Sequence, residues 1–414
     1  MKNDGLLHLG NKERNTMNSD ILHSAINEIF PELVGIRRTI HQIPELSFQE
    51  YNTSALIQKE LSSIGLDFTV LANTGVVAEF GNENGRCVAL RADIDALPIV
   101  EENDIPYKST IDGVMHACGH DMHTTMLLGA TKILYQHKDI LPGKVKVVFQ
   151  PGEEKTPGGA SILLQEGLLE LGQKPDMIFG QHVDPDASVG TVSFAEGPML
   201  ASADELYWTL RGHGVHAAQP HKGNDVIVAA SALIQHLQTI VSRMRNPLYP
   251  GVLSVASIHA GSATNILPEE LTMMGTLRSF NNEWRFEALE KIKVATKEIC
   301  ELYGVEGVCN PSIGYPPLVT DSFATSIARS AARNVKGIQK IENFEPKMWA
   351  EDFAFYAEKI PACFWMLGVK PLDVVSMPGL HNPRFLPEED AMKYGIAMFI
   401  QSTFEFFSQS RDIA

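Results

Sequence analysis

Val145-Lys146-Val147-Val148-Phe149-Gln150-Pro151-Gly152-Glu153-Glu154, residues 145–154, reads as a buried strand that stops abruptly and delivers two carboxylates. Branched and aromatic side chains on successive positions suit a strand covered on both faces. Pro-Gly ends it. The same plan recurs on either side. Cys87-Val88-Ala89-Leu90-Arg91 is strand-like and leads to Asp93 and Asp95 ahead of Pro98, while Met177-Ile178-Phe179-Gly180 leads to His182. Polar groups just past strand ends are where ligands bind in open α/β sheets. Apolar stripes at helical spacing fill the intervals: 21–41, 50–64, 123–135 and 160–169. Pro31 divides the first of these into two potential pieces. Strands alternating with helices predict an α/β layer architecture, a central mixed sheet flanked by helices.

The texture changes near residue 201. Residues 205–210 alternate, with Leu206, Trp208 and Leu210 on one side. A helical pattern at 224–244, strands at 252–258 and 271–277, and a helix at 283–302 follow. This β-α-β-β-α-β order predicts a ferredoxin-like α+β insert, whose last strand is the least distinct. From Pro311 the first texture returns, with a helix at 323–335 and a buried strand at 364–368. The expected organisation is therefore a catalytic domain in two segments, 1–199 and 311–414, interrupted by an inserted domain at 200–310. Residues 1–18 read as a loose polar lead, and Met17 is an alternative start.

The chain has 414 residues, 44% of them hydrophobic and 20% charged, and a formal net charge of -16. That is a globular profile with room for more than one core. The acidic balance argues against a nucleic-acid partner. No stretch approaches eighteen uncharged apolar residues, so no membrane span is expected. The N-terminus lacks a signal-like apolar core. Five cysteines in no close framework argue against a disulfide scaffold and for a reducing, cytoplasmic setting.

Chemistry concentrates in 114–123, Val-Met-His-Ala-Cys-Gly-His-Asp-Met-His, where His116, Cys118, His120 and His123 crowd together. A thiolate and imidazoles suit a transition-metal ion. On a regular helix Cys118 and His120 would diverge by roughly 200°; a turn at Gly119 lets them converge. Glu154, His182 and His381 are the distant candidates to complete the set. Glu153 and Glu154 read two ways. Adjacent carboxylates are commonly a solvated charge run. In an extended stretch, however, neighbours point apart, so Glu154 can bind metal while Glu153 serves a reacting water as base and then acid. His41 and Glu45 read as capping or pairing groups. Of Asp93 and Asp95, one is expected to orient a ligand histidine and the other to pack the turn. Met115 and Met122 are core candidates.

Eight ordered stretches resemble the M20 metallopeptidase-type amidohydrolases: 38–50, 91–98, 116–123, 149–154, 213–221, 265–268, 275–278 and 380–383. The branch includes hippurate hydrolases, N-acyl-amino-acid amidohydrolases, auxin-conjugate hydrolases and N-acetyldiaminopimelate deacetylases. The resemblance spans roughly residues 36–406. It implies two divalent ions (manganese, zinc, cobalt or nickel) held by Cys118, His120, Glu154, His182 and His381, with Cys118 between them. It implies Glu153 as the catalytic carboxylate and His216, on the inserted domain, as an oxyanion stabiliser. Asn265 and Arg278 match the residues that hold the substrate carboxylate. It further implies a homodimer through the inserted lid domain, or a higher oligomer. Two departures stand out: Val215 replaces a common glycine before His216, and His182 is followed by Val183-Asp184-Pro185-Asp186. Asp184 and Asp186 read as a solvated turn or as groups facing a substrate amine.

The expected activity is hydrolysis of N-acyl amino acids, N-acetyl, N-benzoyl or aryl-acyl. A dipeptidase or aminoacyl carboxypeptidase with the same metal site is the alternative among enzymes. A non-catalytic, metal-dependent binding protein for small molecules is the alternative outside them; it predicts a lost ligand or base, and the sequence keeps both.

Overall fold

The computed structural model describes residues 18–409. The lead at 1–17 and the alternative start at Met17 lie outside the described residues, while Asn18 caps the first helix. The chain separates into two compact units. Among the described residues one comprises 18–197, 320–345 and 355–409; the other comprises 198–319 and 346–354.

The larger unit is built on an eight-stranded mixed sheet. In spatial order its strands are Phe68–Leu71, Gly75–Gly81, Lys144–Gln150, Cys87–Asp93, Met177–Ser188, Ala362–Lys370, Thr191–Phe194 and Lys340–Asn343. The four in the middle run parallel to one another. Nearly every residue of these four is buried, as parallel strands covered on both faces must be. Gly75–Gly81 and Cys87–Asp93, neighbours in sequence, are not paired; Lys144–Gln150 lies between them. Helices Ser19–Gln42, His120–Gln136, Ser322–Ala332 and Ala391–Ser408 pack with this sheet and one another around one aliphatic core.

Several elements differ from expectation. Ser19–Gln42 is one helix with Pro31 inside it. Pro31 is exposed, so the carbonyl it deprives of an N–H can turn to water. The helix at 123–135 begins earlier, at His120. The stretch 183–186 is no solvated turn but the continuation of strand Met177–Ser188, with Asp184 buried and accepting the Asp186 N–H at 2.9 Å. Short strands at Phe68–Leu71, Thr191–Phe194 and Lys340–Asn343, and the long C-terminal helix Ala391–Ser408, carried no sequence expectation.

The smaller unit carries a four-stranded antiparallel sheet in the order Gly251–Ala260, Glu270–Ser279, Asp204–Arg211, Glu306–Ser312. Helices Val226–Thr239 and Asn282–Leu302 pack on one face of it. That is the ferredoxin-like order. Its last strand runs to Ser312 and stays in register with Asp204–Arg211, which carries this unit past residue 310. The segment Val226–Met244 is, by length and composition, apolar enough to span a bilayer. Val226, Ala229, Ala230, Leu233 and Leu237 lie along its buried stripe, which packs within the domain, while Ile227, Val228 and Met244 are exposed.

Candidate metal centre

The site grows from the C-terminal ends of the parallel strands. Cys87–Asp93 delivers Asp93 and, two residues on, Asp95. Lys144–Gln150 leads through Pro151-Gly152 to Glu153 and Glu154. Met177–Ser188 carries His182. The loop after Ala362–Lys370 carries His381.

Gly119 makes the central turn. Its φ is 83°, in the left-handed region, and a Cβ there would lie 2.6 Å from Val183 Cγ2. Only glycine meets both conditions without strain. Cys118 precedes this turn and His120 opens the helix after it, so the two side chains converge. His381 also has a positive φ, 60°, unusual for a residue other than glycine. Its N–H donates to Ala117 O at 2.8 Å, tying it to the Cys118 turn. Strain held in place by surrounding bonds is common where a side chain must be aimed.

These elements bring the five expected ligands together. Metal-competent atoms of Cys118, His120 and His182 lie within 4.8 Å of one another, as do those of Cys118, Glu154 and His381. The two triads share the Cys118 thiol. A third group, His120, Glu153 and Glu154, places the Glu153 carboxylate beside both. Cys118 Sγ is 3.4 Å from His182 Nε2. Glu154 Oε1 is 3.1 Å from His381 Nε2, in an alignment that makes no hydrogen bond, and 4.0 Å from His120 Nε2.

The imidazoles are oriented from behind. His120 Nδ1–H donates to Asp95 Oδ1 at 3.0 Å. His182 Nδ1–H donates to Val183 O at 2.8 Å. Each therefore turns Nε2 toward the cluster, as metal-binding histidines do. His120 Nε2 and Glu154 Oε1 are buried and lack hydrogen-bond partners. Buried polar atoms without partners are rare and need a cause.

The charges agree. Burial pushes the Cys118 thiol well above its ordinary range, and Glu154, Glu153 and Asp93 push it further. Burial opposes the charge on His120, yet Asp93, Asp95 and Glu154 hold it up at about 10. Burial, then His123, drives His182 well down. A cluster of buried carboxylates around a thiol calls for positive charge, and a divalent cation would turn the thiol into a thiolate. The donor set, with sulfur, nitrogen and oxygen, fits transition metals.

Other candidates fall away from this role. His123 is fully engaged: Val183 N–H donates to its Nε2 at 3.0 Å, and its Nδ1–H donates to Asp93 Oδ1 at 2.6 Å. His116 is buried with both ring nitrogens unpartnered, its pKa pressed down to about 3 by burial, and it joins none of these groups. His41 pairs with Asp121 at 2.8 Å and Glu101 at 3.2 Å. Glu45 caps helix Tyr51–Ser63, accepting the N–H groups of Asn52 at 3.0 Å and Thr53 at 2.9 Å. Both aspartates orient histidines, Asp95 toward His120 and Asp93 toward His123, with Arg91 on Asp93 at 2.7 Å. Met115 and Met122 are core.

His216, Asn265 and Arg278 belong to the smaller unit. Val215–His216 pairs with Ile266–Leu267 as a two-stranded ribbon. Extended backbone suits β-branched Val215, so the glycine common at that position is not required. Ala217 N–H donates to Asn265 O at 2.9 Å, setting the exposed His216 and Asn265 near each other. Arg278 is half-buried on Glu270–Ser279 and makes no ion pair among the described residues. Burial lowers its pKa, against the pull of Asp204 and Glu205.

Residues 89–403 match the model of Peptidase family M20/M25/M40. The chain belongs to that family. It is an enzyme of metal-dependent amide hydrolysis, which sets aside the binding-protein alternative. It is 41% identical over 363 residues to the N-acetyl-L-cysteine deacetylase of Bacillus subtilis, covering 87% of this chain and 85% of that one. It is 38% identical over 381 residues to IAA-amino acid hydrolase ILR1-like 4 of Arabidopsis thaliana, covering 90% and 85%. Among solved structures, the Bacillus subtilis YXEP protein, described as a dinuclear metal binding peptidase from the M20 family, superposes with a TM-score of 0.81. The two are 32% identical over 93% of this chain and 99% of that one.

Proposed function

We propose that this enzyme hydrolyses the amide bond of N-acyl amino acids, releasing a carboxylic acid and a free amino acid. The observation that carries the reading is the pair of ligand triads sharing Cys118, with the Glu153 carboxylate against both. Cys118, His120 and His182 would hold one divalent ion; Cys118, Glu154 and His381 would hold the second. Manganese, zinc, cobalt and nickel all suit this mixture of donors. Bound there, the ions supply Lewis acidity for the acyl carbonyl and lower the pKa of a water.

The protein's own groups do the rest. Glu153 takes the proton of the attacking water and returns it to the departing amine. His216 donates to the oxygen that gains charge as the carbonyl is attacked. Arg278 presents a guanidinium fork to the carboxylate of the amino-acid half, with Asn265 as a neutral partner. One relative is an N-acetyl-L-cysteine deacetylase and another an IAA-amino acid hydrolase; both substrates so named pair an acyl group with a free carboxylate. The dipeptidase or carboxypeptidase reading shares the centre and differs in the acyl half.

Five free cysteines support a cytoplasmic setting. The edge strand Gly251–Ala260, which carries the exposed side chains of Val252 and Ile258, supports a homodimer through the smaller unit.

The test compares the wild type and Glu153→Ala on a panel of N-acetyl, N-benzoyl, indole-acyl and dipeptide substrates with each of the four metals. The variant is expected to keep its metal and lose nearly all turnover. Substantial remaining turnover would overturn the role of Glu153, and preference for dipeptides would move the substrate class.

A further inference from the structure

We propose that Glu50 is a positioning residue for Glu153: its buried carboxylate clamps the turn that aims the general base. The proposal rests on the reading of Glu153 above.

Glu50 is completely buried and sits just before helix Tyr51–Ser63, yet it forms no side-chain cap for that helix. Its two oxygens are spent elsewhere. Oε1 accepts Gly152 N–H at 2.8 Å and Phe48 N–H at 2.8 Å. Oε2 accepts the Thr74 hydroxyl at 2.7 Å. Gly152 is the residue immediately before Glu153, and the connection from strand Lys144–Gln150 to the metal cluster passes through it.

A second bond holds the other side of Glu153. Glu154 N–H donates to Asp95 Oδ2 at 3.0 Å, and Ser47 Oγ donates to the same oxygen at 2.7 Å. The backbone amides flanking Glu153 are thus each fixed to a buried carboxylate. One short segment, 47–50, contributes to both fixings, through Ser47 and through Glu50.

Two conformational features show that the clamp is built at a cost. Gly152 has φ 59° and Phe48 has φ 66°, both left-handed. For Phe48 this is uncommon and strained. A Cβ on Gly152 would collide with the Phe48 ring, so the ring lies directly on the turn. The strained phenylalanine is held by the very carboxylate that holds Gly152. Glu50 has no exposure to solvent, and nothing in its bonding directs it to a ligand role: it belongs to none of the metal-competent groups.

The test compares Glu50→Gln, Glu50→Ala and Glu153→Ala, all metal-loaded, by kcat, KM and metal content. A glutamine keeps the carbonyl oxygen that accepts both N–H groups and turns its amide to Thr74 Oγ1, which can accept. Glu50→Gln is therefore expected to keep kcat within a few fold. Glu50→Ala is expected to lose kcat by about 10²-fold, the scale of an ångström-sized misplacement of a reacting group. KM and the two-ion stoichiometry should stay unchanged, because Glu153 binds neither ion in this reading. Where Glu50→Ala does not fold, Thr74→Val removes one anchor of the same carboxylate and should lower kcat by several fold without loss of metal. Unchanged kcat in the folded alanine variant would overturn the proposal. So would a glutamine variant as inactive as the alanine one, which would make Glu50 a proton carrier instead. If Glu153→Ala itself stays active, the general-base reading has failed, and the Glu50 variants are then judged only by whether kcat responds to the clamp.

Discussion

Replacing Asp95 by alanine should weaken the metal centre more than any other change outside its ligands. Asp95 accepts three hydrogen bonds: from His120 Nδ1 at 3.0 Å, from Glu154 N at 3.0 Å and from Ser47 Oγ at 2.7 Å. It thereby fixes two ligands from opposite triads. A hydrogen bond to a charged group contributes about 1.5–3 kcal/mol, and each ~1.4 kcal/mol is tenfold in affinity. Losing the His120 bond alone should raise the metal Kd by about 10- to 100-fold, the range known for partners behind metal ligands. Freeing Glu154 adds to the loss on the second ion. The assay is competition with a chromophoric chelator, with thermal unfolding of the metal-free protein as the check on folding. Ser47→Ala, which removes one bond and no ligand contact, should shift the Kd by only a few fold. A folded Asp95→Ala with wild-type metal affinity would refute the claim that Asp95 orients these ligands.

Four further outcomes are expected. Gly119→Ala must place a Cβ at φ 83° and 2.6 Å from Val183; a left-handed residue costs about 1–2 kcal/mol and the overpacking about 1–3 kcal/mol, so both Tm and metal retention should fall. Arg278→Ala should raise KM for N-acyl amino acids by about 10- to 100-fold, the worth of a charge-assisted bond, with kcat far less affected; an equal fall in kcat with KM unchanged would remove it from carboxylate binding. His41 gives a pH signature in the metal-free protein. Burial opposes its charge, but Asp121 and Glu101 raise its pKa above 6.5, while Arg37 and His41 hold Asp121 below 3.8 despite burial. The His41 contribution is complete below pH 6.5 and lost as pH rises through its folded pKa; that of Asp121 is complete above pH 3.8 and lost as pH falls through its own. The Tm gap between wild type and His41→Gln should therefore be widest between those values and narrow on the alkaline side. Cys118→Ala removes the atom common to both triads and should lower retention of both ions, read by elemental analysis after dialysis.

The sequence was most legible where one physical signal dominated. Runs rich in branched and aromatic residues at 145–150 and 177–180 announced buried strands, and the polar residues after them fell where parallel strands end. Gly119 announced a turn because Cys118 and His120 could not otherwise meet. What escaped notice depended on contacts made only by folding. Strand Lys340–Asn343 is short and mostly exposed, with little pattern to read. Helix Ala391–Ser408 is buried on nearly all sides, so no amphipathic stripe marks it. Local spacing put His123 in the same crowded stretch as His120. Folding then engages both of its nitrogens, with Val183 N–H on Nε2 and Asp93 on Nδ1. Asp184 read as turn-like beside Pro185, but pairing with Ala362–Lys370 keeps it in the sheet. Glu50 carried no local signal at all, because its partners Thr74 and Gly152 lie 24 and 102 positions away.

Anomalous diffraction from crystals of reduced, metal-loaded enzyme tests the central claim most directly. Two peaks are expected, both within about 2.3 Å of Cys118 Sγ if the metal is zinc, one completed by His120 and His182 and the other by Glu154 and His381. A single peak, or a Cys118 sulfur outside coordinating distance of either ion, would contradict it.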